Sequence, residues 1–122
     1  MKVYFSVIQR DHRTLVKIIS EAGKCVGSVG HGLSANMSKG LAIGYSIDSE
    51  FRKKGLMTKA VKLFLEHSNH NLFQAIVRPE NRASQRVLFK AGFKLINYDE
   101  IRKNKHAIWV FEYSKTKIPK VA

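Results

Sequence analysis

Two short segments of this chain combine residue types and spacing that suggest chemistry. The first is a basic turn that lies between an apolar, strand-like run and an amphipathic pattern. A helix that starts here would present backbone N–H groups without intrahelical partners, and its dipole would add positive charge, so the turn suits a phosphate or pyrophosphate. Its single glycine removes a Cβ where an anion would approach. A solvated basic turn is the plain alternative. The turn consists of Arg52, Lys53, Lys54, Gly55, Leu56, Met57 and Thr58.

The second segment covers residues 81–93 and follows a strand-like run that is closed by Pro79. Asn81 is a residue type that commonly caps the start of a helix, and Gly92 is the type that commonly ends one. Between them, Ser84, Val87 and Leu88 share one helical face with Ala91. The segment therefore predicts a short helix with a polar first turn.

The elements that must position these segments follow from the hydrophobic patterning. Apolar residues at Leu56, Ala60, Leu63 and Phe64 recur with helical spacing, which predicts an amphipathic helix starting near Gly55. With the predicted strands the order is β-β-β-β-α-β-α-β-β, an α/β fold with a mixed, mostly antiparallel sheet and two main helices. Runs rich in β-branched and aromatic residues predict those strands at 3–8, 15–19, 25–29, 41–47, 72–77, 93–98 and 106–113.

Length and charge bound the class of protein. The 122 residues suit one domain over 1–122, with a basic tail at 115–122, and 22 Lys+Arg against 9 Asp+Glu give a net charge of +13. Such an excess indicates an acidic partner or ligand. A single cysteine, Cys25, excludes an internal disulfide and is expected to pack as a small hydrophobic residue. The longest uncharged stretch is too polar to span a bilayer, so we expect no membrane partner and a cytoplasmic location.

Taken together, the two segments resemble the acetyl-coenzyme A site of the GNAT superfamily of N-acetyltransferases. That superfamily's loop has a Gln or Arg, then a glycine, then a small residue, and the turn is similar to it through Arg52, Gly55 and Met57. Its next helix begins with Asn, has a Ser or Ala three positions later and ends in Gly-Phe, as residues 81–93 do. The helix motif with serine, here Ser84, is similar to that of the RimJ/RimL branch, which acetylates ribosomal-protein N-termini. Both motifs occur in order on matching elements, and the resemblance covers about residues 14–114.

The resemblance implies a GNAT-like fold and acetyl-coenzyme A as the acetyl donor, with no metal. In that family the amides of the basic turn, here 53–58, cradle the pyrophosphate, and Asn81 bonds the pantetheine region. Ser84 matches the serine proposed to protonate the departing thiolate, a role that a hydroxyl near the coenzyme sulfur can perform. Capping of the helix is the structural alternative for Ser84. The strand residues whose backbone would bind the pantetheine arm are Tyr45, Ser46 and Ile47.

Three departures from the family pattern affect the expected site. Met57 stands where the loop has a small residue, so its side chain must point away from the pyrophosphate. The tyrosine that many members use as general acid falls at Leu88. Family members usually place two helices between the first two strands, whereas only residues 9–13 separate them here. Those helices normally wall the acceptor site.

The implied function is N-acetyl transfer from acetyl-coenzyme A to a primary amine, either a protein N-terminus or a small amine. No positioned cysteine suggests a covalent relay, so we expect direct attack in a ternary complex. The amine must lose a proton, and Glu100 is the first candidate for the base, Glu50 the second, and an ordered water the third.

A different class of function fits the charge as well. A basic protein of this size could be a non-catalytic nucleic-acid or ribosome-binding module on a GNAT-like sheet, although no RNA-recognition signature is present.

The short connection at residues 9–13 also leaves strands without their usual cover. That lack of cover predicts a homodimer.

Overall fold

The computed structural model describes residues 2–32, 40–101 and 107–115, with the side chains of 98–101 and 107 outside the description. Two helices pack with one seven-stranded sheet, so the predicted α/β class and element order are confirmed. The helices are α1 Leu56–His67 and α2 Arg82–Ala91. The strands are β1 Val3–Arg10, β2 Arg13–Ser20, β3 Cys25–His31, β4 Leu41–Ile47, β5 Leu72–Val77, β6 Lys94–Ile101 and β7 Ala107–Ser114.

The strands lie in the order β1-β2-β3-β4-β5-β7-β6. The pair β4 and β5 is parallel, and the remaining neighbours in this order are antiparallel. A parallel neighbour needs a crossover connection, and the segment that contains α1 supplies it between β4 and β5. The sheet is therefore mostly antiparallel, as the sequence pattern predicts.

A two-residue turn joins β1 to β2 directly. Asp11 and His12 have φ of 52° and 64°, and Arg10 pairs with Arg13 across the turn. Positive φ at both central residues belongs to the type I′ hairpin turn, whose twist matches that of the flanking strands. The predicted short connection is thus confirmed, and these two strands form a plain hairpin.

The core lies between the helices and one face of the sheet. On α1 the buried residues Ala60, Val61 and Phe64 recur at helical spacing and pack toward β2 and β3. Val16 and Ile18 alternate along β2 toward that helix and are fully buried. Because side chains alternate across a strand, the other side chains of β2 lie on the opposite face of the sheet.

The expectation for Cys25 is wrong, because its side chain is exposed. A register shift between Ile18 and Ile19 brings Cys25 opposite Ile19 at the very start of β3. Its Sγ lies 3.4 Å from the Gly27 carbonyl oxygen as a weak donor. Strand composition predicts the element here, but the bulge decides which way the first side chain points.

Two further expectations concern the ends of elements and the membrane. Residue 106, predicted to open the last strand, and the tail beyond 115 lie outside the described residues. Across the ranges that the structure describes, no helix is long and apolar enough to cross a membrane.

Candidate functional site

An opening in the sheet forms the centre of the site. β4 and β5 pair only through Leu41 with Phe73 and Ala42 with Gln74. Beyond Ala42, β4 stays paired with β3 and β5 stays paired with β7, while no ladder joins β4 to β5 among the described residues. One edge of β4 therefore has backbone groups available to an extended ligand. Tyr45, Ser46 and Ile47 lie on this edge, where the sequence predicts the pantetheine contacts.

The basic turn leads from the end of β4 to the start of α1. Phe51, in a 3-10 helix at Ser49–Phe51, is buried and anchors the turn to the core. Arg52 donates from Nε to the Ile47 carbonyl oxygen at 3.3 Å, which ties the turn to the strand. Lys53 has φ of 64°, and Gly55, the residue before α1, has φ of 75°. These left-handed residues bend the chain sharply, and glycine does so without steric cost.

The first turn of α1 has the form of an anion site. The first backbone hydrogen bond of the helix runs from Lys59 N–H to the Gly55 carbonyl oxygen at 3.2 Å. The amides of Leu56, Met57 and Thr58 precede that bond, so they have no intrahelical acceptor. A Cβ built at Gly55 would meet nothing within 4 Å, which leaves space in front of the turn. Met57 is only 6% exposed, so its side chain enters the core and leaves the approach open.

The first turn of α2 lies across the opening from β4. Asn81 accepts from Ser84 N–H through Oδ1 at 3.1 Å, which confirms the predicted N-cap. Gly92 ends the helix with φ of 102°, also as predicted. Gln85 donates from Nε2 to the Pro79 carbonyl oxygen at 2.7 Å and so holds the connection from β5. Ser84 thereby lies in a first turn that is capped by Asn81 and tied to the preceding segment by Gln85.

The side chain of Tyr45 spans the opening and reaches Ser84. The Tyr45 hydroxyl donates to the Ser84 carbonyl oxygen at 3.2 Å. It also lies 2.5 Å from Ser84 Oγ, in a hydrogen bond that either hydroxyl group can donate. Sequence reasoning assigned Tyr45 a backbone role alone and missed this contact. The alternation along β4, with Ile43 buried on the helix side, was the available signal, because it puts Tyr45 on the same face.

Burial raises the pKa of Tyr45 to about 12, and its hydrogen bond with Ser84 acts in the opposite, smaller sense. The phenol therefore stays protonated at neutral pH and remains a donor. Two hydroxyl groups, those of Tyr45 and Ser84, thus meet between β4 and α2. Hydroxyl donors fixed before the reaction can stabilise an anion that forms beside them.

The two carboxylates proposed as base stand in different places. Glu50 is exposed in the 3-10 helix beside the basic turn, at the far end of the free β4 edge. Glu100 pairs with Ile108 in the outer hairpin of β6 and β7, and its side chain is outside the description. Leu88, at the position of the tyrosine acid, is fully buried in the core. The role of each carboxylate stays a prediction.

Comparison with known families agrees with this geometry. The model of the acetyltransferase (GNAT) domain matches residues 3–94. This chain belongs to the GNAT acetyltransferase family. A protein of Bacillus subtilis strain 168, YjcK, named a probable N-acetyltransferase, is 46% identical over 55 residues, which is 42% of this chain and 30% of YjcK.

Solved structures share the fold at low sequence identity. The ribosomal-protein-S5-alanine acetyltransferase from Vibrio fischeri superposes with a TM-score of 0.71 at 20% identity, over 85% of this chain and 62% of that one. RimJ of Mycobacterium smegmatis, in complex with a coenzyme A disulfide, superposes with a TM-score of 0.71 at 23% identity. The match covers 88% of this chain and 56% of RimJ. RimL, a ribosomal L7/L12 alpha-N-protein acetyltransferase in complex with coenzyme A, superposes with a TM-score of 0.71 at 18% identity. The match covers 84% of this chain and 62% of RimL. The chain thus spans less than two thirds of these proteins.

Proposed function

We propose that this protein transfers acetyl from acetyl-coenzyme A to a primary amine. The observation that carries the proposal is the opening between β4 and β5, which has free α1 amides at one end and the Ser84 hydroxyl on its far side. The free edge of β4 suits the amide-bearing pantetheine arm, because an extended chain of donors and acceptors can pair with it. The basic turn suits the pyrophosphate. Membership of the GNAT family supports the same donor.

The proposed reaction is direct attack in a ternary complex. The amine nitrogen attacks the thioester carbonyl, a C–N bond forms, and the C–S bond breaks. Ser84 donates a proton or hydrogen bond to the departing thiolate. Tyr45, held protonated by burial, then turns its single proton from the Ser84 carbonyl oxygen to Ser84 Oγ. The amine proton passes to Glu100 or to water. A hydroxyl donor fixed in place needs no reorganisation as negative charge develops on sulfur.

The acceptor is the less constrained half of the proposal. The S5-alanine acetyltransferase and the L7/L12 alpha-N-protein acetyltransferase are named for protein N-termini, and both share this fold. A peptide N-terminus, including that of a ribosomal protein, is therefore the acceptor we propose to test first. A small amine is the second.

Two measurements test the donor half. Calorimetry with acetyl-coenzyme A should show saturable binding to the wild-type protein. The double variant Lys53→Gln with Lys54→Gln should weaken that binding by about tenfold, because it removes two charges beside the pyrophosphate amides. Lys90→Gln, in the last turn of α2 and away from the basic turn, is the matched control, and this variant should bind acetyl-coenzyme A as the wild type does. Absence of binding at millimolar ligand would refute the proposal.

Thiol release in the presence of amines tests the transfer itself. Peptides with free N-termini and small amines should release coenzyme A thiol in proportion to the acetylated product found by mass spectrometry.

A thermal-shift comparison with coenzyme A and with RNA distinguishes acetyl transfer from the nucleic-acid-binding alternative. Stabilisation by RNA alone, falling steeply with salt, would favour that alternative over acetyl transfer.

A further inference from the structure

The face of the sheet opposite the helices carries a trough. Two adjacent cross-strand pairs of β3 and β4 on this face are Gly30 with Gly44 and Ser28 with Ser46. Small side chains on neighbouring pairs leave the backbone surface open, and a cavity of about 660 Å³ lies there. A Cβ at Gly44 would approach only Gly32 Cα, at 3.5 Å, so the space above Gly44 is unfilled.

The trough has a charged rim at the β1–β2 turn. Arg10 and Arg13 are direct cross-strand partners, and both are exposed and line the cavity. Like charges directly opposite one another destabilise an antiparallel pair. Asp11, in the turn, also lines the cavity, yet it makes no ion pair with either arginine in the part of the chain that the structure describes. The rim thus retains a net positive charge, and none of the described residues hydrogen-bonds to either guanidinium group.

His31 also lines the cavity, and its ring packs edge-on against Phe64 of α1. Its pKa is lowered first by desolvation, then by the Arg13 guanidinium and by His70. Its Nε2 accepts from Thr14 N–H at 3.3 Å, so this ring nitrogen is already engaged.

The other end of the trough is the free edge of β4. Tyr45 and Ser46, which lie on that edge, line the cavity together with the arginine rim. β3 alone separates β2 from β4, so these strands lie two spacings, about 10 Å, apart. The register places Arg13 level with Ala42, three residues or about 10 Å along the strand from Tyr45, so the backbones of Arg13 and Tyr45 lie about 14 Å apart on the diagonal. A molecule in the trough would contact the arginines at one end and the proposed acetyl group at the other.

We propose that this trough binds the acetyl acceptor and selects a primary amine that carries a carboxylate about 10 Å from its nitrogen, because the arginine side chain itself covers the rest of the diagonal of about 14 Å. A peptide with a free N-terminus and an acidic third residue has this form, since an extended chain advances about 3.3 Å per residue. Arginine pairs bind carboxylates with paired hydrogen bonds, and the same charges repel cationic amines. The assignment rests on the proposed function for the identity of the bound amine, but the trough and its charge do not depend on it.

Peptide binding to the protein saturated with coenzyme A tests the assignment. The probes are three alanine pentapeptides with a free N-terminus and an amidated C-terminus, whose third residue is aspartate, asparagine or lysine. Calorimetry should show that the aspartate peptide binds about tenfold more tightly than the asparagine peptide, and the lysine peptide more weakly still. Arg10→Gln with Arg13→Gln should abolish the preference, and Lys90→Gln should keep it. Equal binding of the three peptides to the wild type would overturn the proposal.

Two further variants address folding and the underlying function. Arg10→Glu with Arg13→Glu should reverse the order, so that the lysine peptide binds best, and a protein that failed to fold could not show a reversal. Gly44→Ala adds a methyl group to the trough at ordinary contact distance and should weaken peptide binding while coenzyme A binding is kept. If the aspartate preference appears without any acetyl transfer, the trough is upheld and the proposed function fails. If transfer occurs without a preference among the peptides, the proposed function is upheld and the assignment of the trough fails.

Discussion

At the scale of single residues, the contact between Tyr45 and Ser84 changes how the site is understood. A serine hydroxyl alone is a weak acid, whereas a serine held 2.5 Å from a protonated phenol shares a hydrogen bond that either group can donate. The phenol also donates to the Ser84 carbonyl oxygen, so it holds the backbone of the first α2 turn as well as the side chain. The two roles proposed for Ser84, capping and proton donation, are separated by the Asn81 contact, because Asn81 and not Ser84 caps the helix.

Replacement of that serine measures its chemical role. Ser84→Ala should lower kcat by about 10²-fold while coenzyme affinity stays nearly unchanged, because the donor to the thiolate is lost and the helix keeps its Asn81 cap. Steady-state kinetics beside calorimetry separate the two effects. Equal losses of rate and affinity would indicate a structural role, and a rate within twofold of the wild type would remove Ser84 from the mechanism.

The raised pKa of Tyr45 predicts a pH dependence of stability. The phenol is neutral when protonated, and folding raises its pKa from 10.0 to about 12. The folded state therefore holds this proton more tightly, so the contribution is complete below pH 10 and is lost as pH rises toward 12. Urea unfolding should show about 2–3 kcal/mol more loss over that interval for the wild type than for Tyr45→Phe.

The control for this measurement is Tyr4→Phe. Tyr4 is 58% exposed on β1, so the variant should lose stability over the alkaline interval as the wild type does. Parallel pH curves for the wild type and Tyr45→Phe would contradict the prediction.

At the scale of elements, the start of α1 combines a backbone requirement with a binding one. Gly55 has φ of 75° and open space in front of it, so any L residue there is strained by its backbone and not by a neighbour. The same is true of Gly23, with φ of 86° and nothing within 4 Å, in the turn between β2 and β3. The two glycines differ in position, since only Gly55 borders the proposed pyrophosphate site.

That pair gives a matched test. Gly55→Ala and Gly23→Ala should each cost about 1 kcal/mol of unfolding free energy, the price of a left-handed alanine. Only Gly55→Ala should also weaken acetyl-coenzyme A binding, because its methyl group enters the space in front of the α1 amides. Denaturant unfolding and calorimetry give the two numbers. Equal coenzyme affinity in both variants would argue against an anion site at this turn.

At the scale of the whole molecule, the exposed edge strand β1 has a consequence for assembly. β1 is an eight-residue edge strand that pairs with β2 alone among the described strands, and Tyr4 stands exposed on it. Long exposed edges are commonly covered by pairing, and a C₂ partner could also close the open side of the trough. The charge of +13 opposes association, but salt screens it over about 8 Å.

Light scattering tests the expected homodimer. At micromolar protein and moderate salt, the mass should be twice 13.9 kDa. A value near 13.9 kDa would contradict the dimer. The result should not change with coenzyme A, because the proposed donor site lies at the opening between β4 and β5 and not at the β1 edge.

The local parts of this protein could be predicted from its sequence. Helical spacing located α1 near Gly55, Asn81 and Gly92 bounded α2, and apolar runs located the strands, because each of these signals acts within a few residues of the chain. The basic turn could be recognised for the same reason. The family resemblance then joined the two motifs into one site, and the family comparison confirms membership of that family.

Only the tertiary structure decided how these parts meet. The parting of β4 from β5 after Ala42 depends on which strands pair, and no local pattern encodes it. The contact of Tyr45 with Ser84 and the facing glycines Gly30 and Gly44 likewise join residues that are distant in the chain. Register between strands is set by packing on the core and by turn geometry, so a shift of one residue would turn each of these side chains to the other face. The site is therefore local in its components and non-local in its assembly.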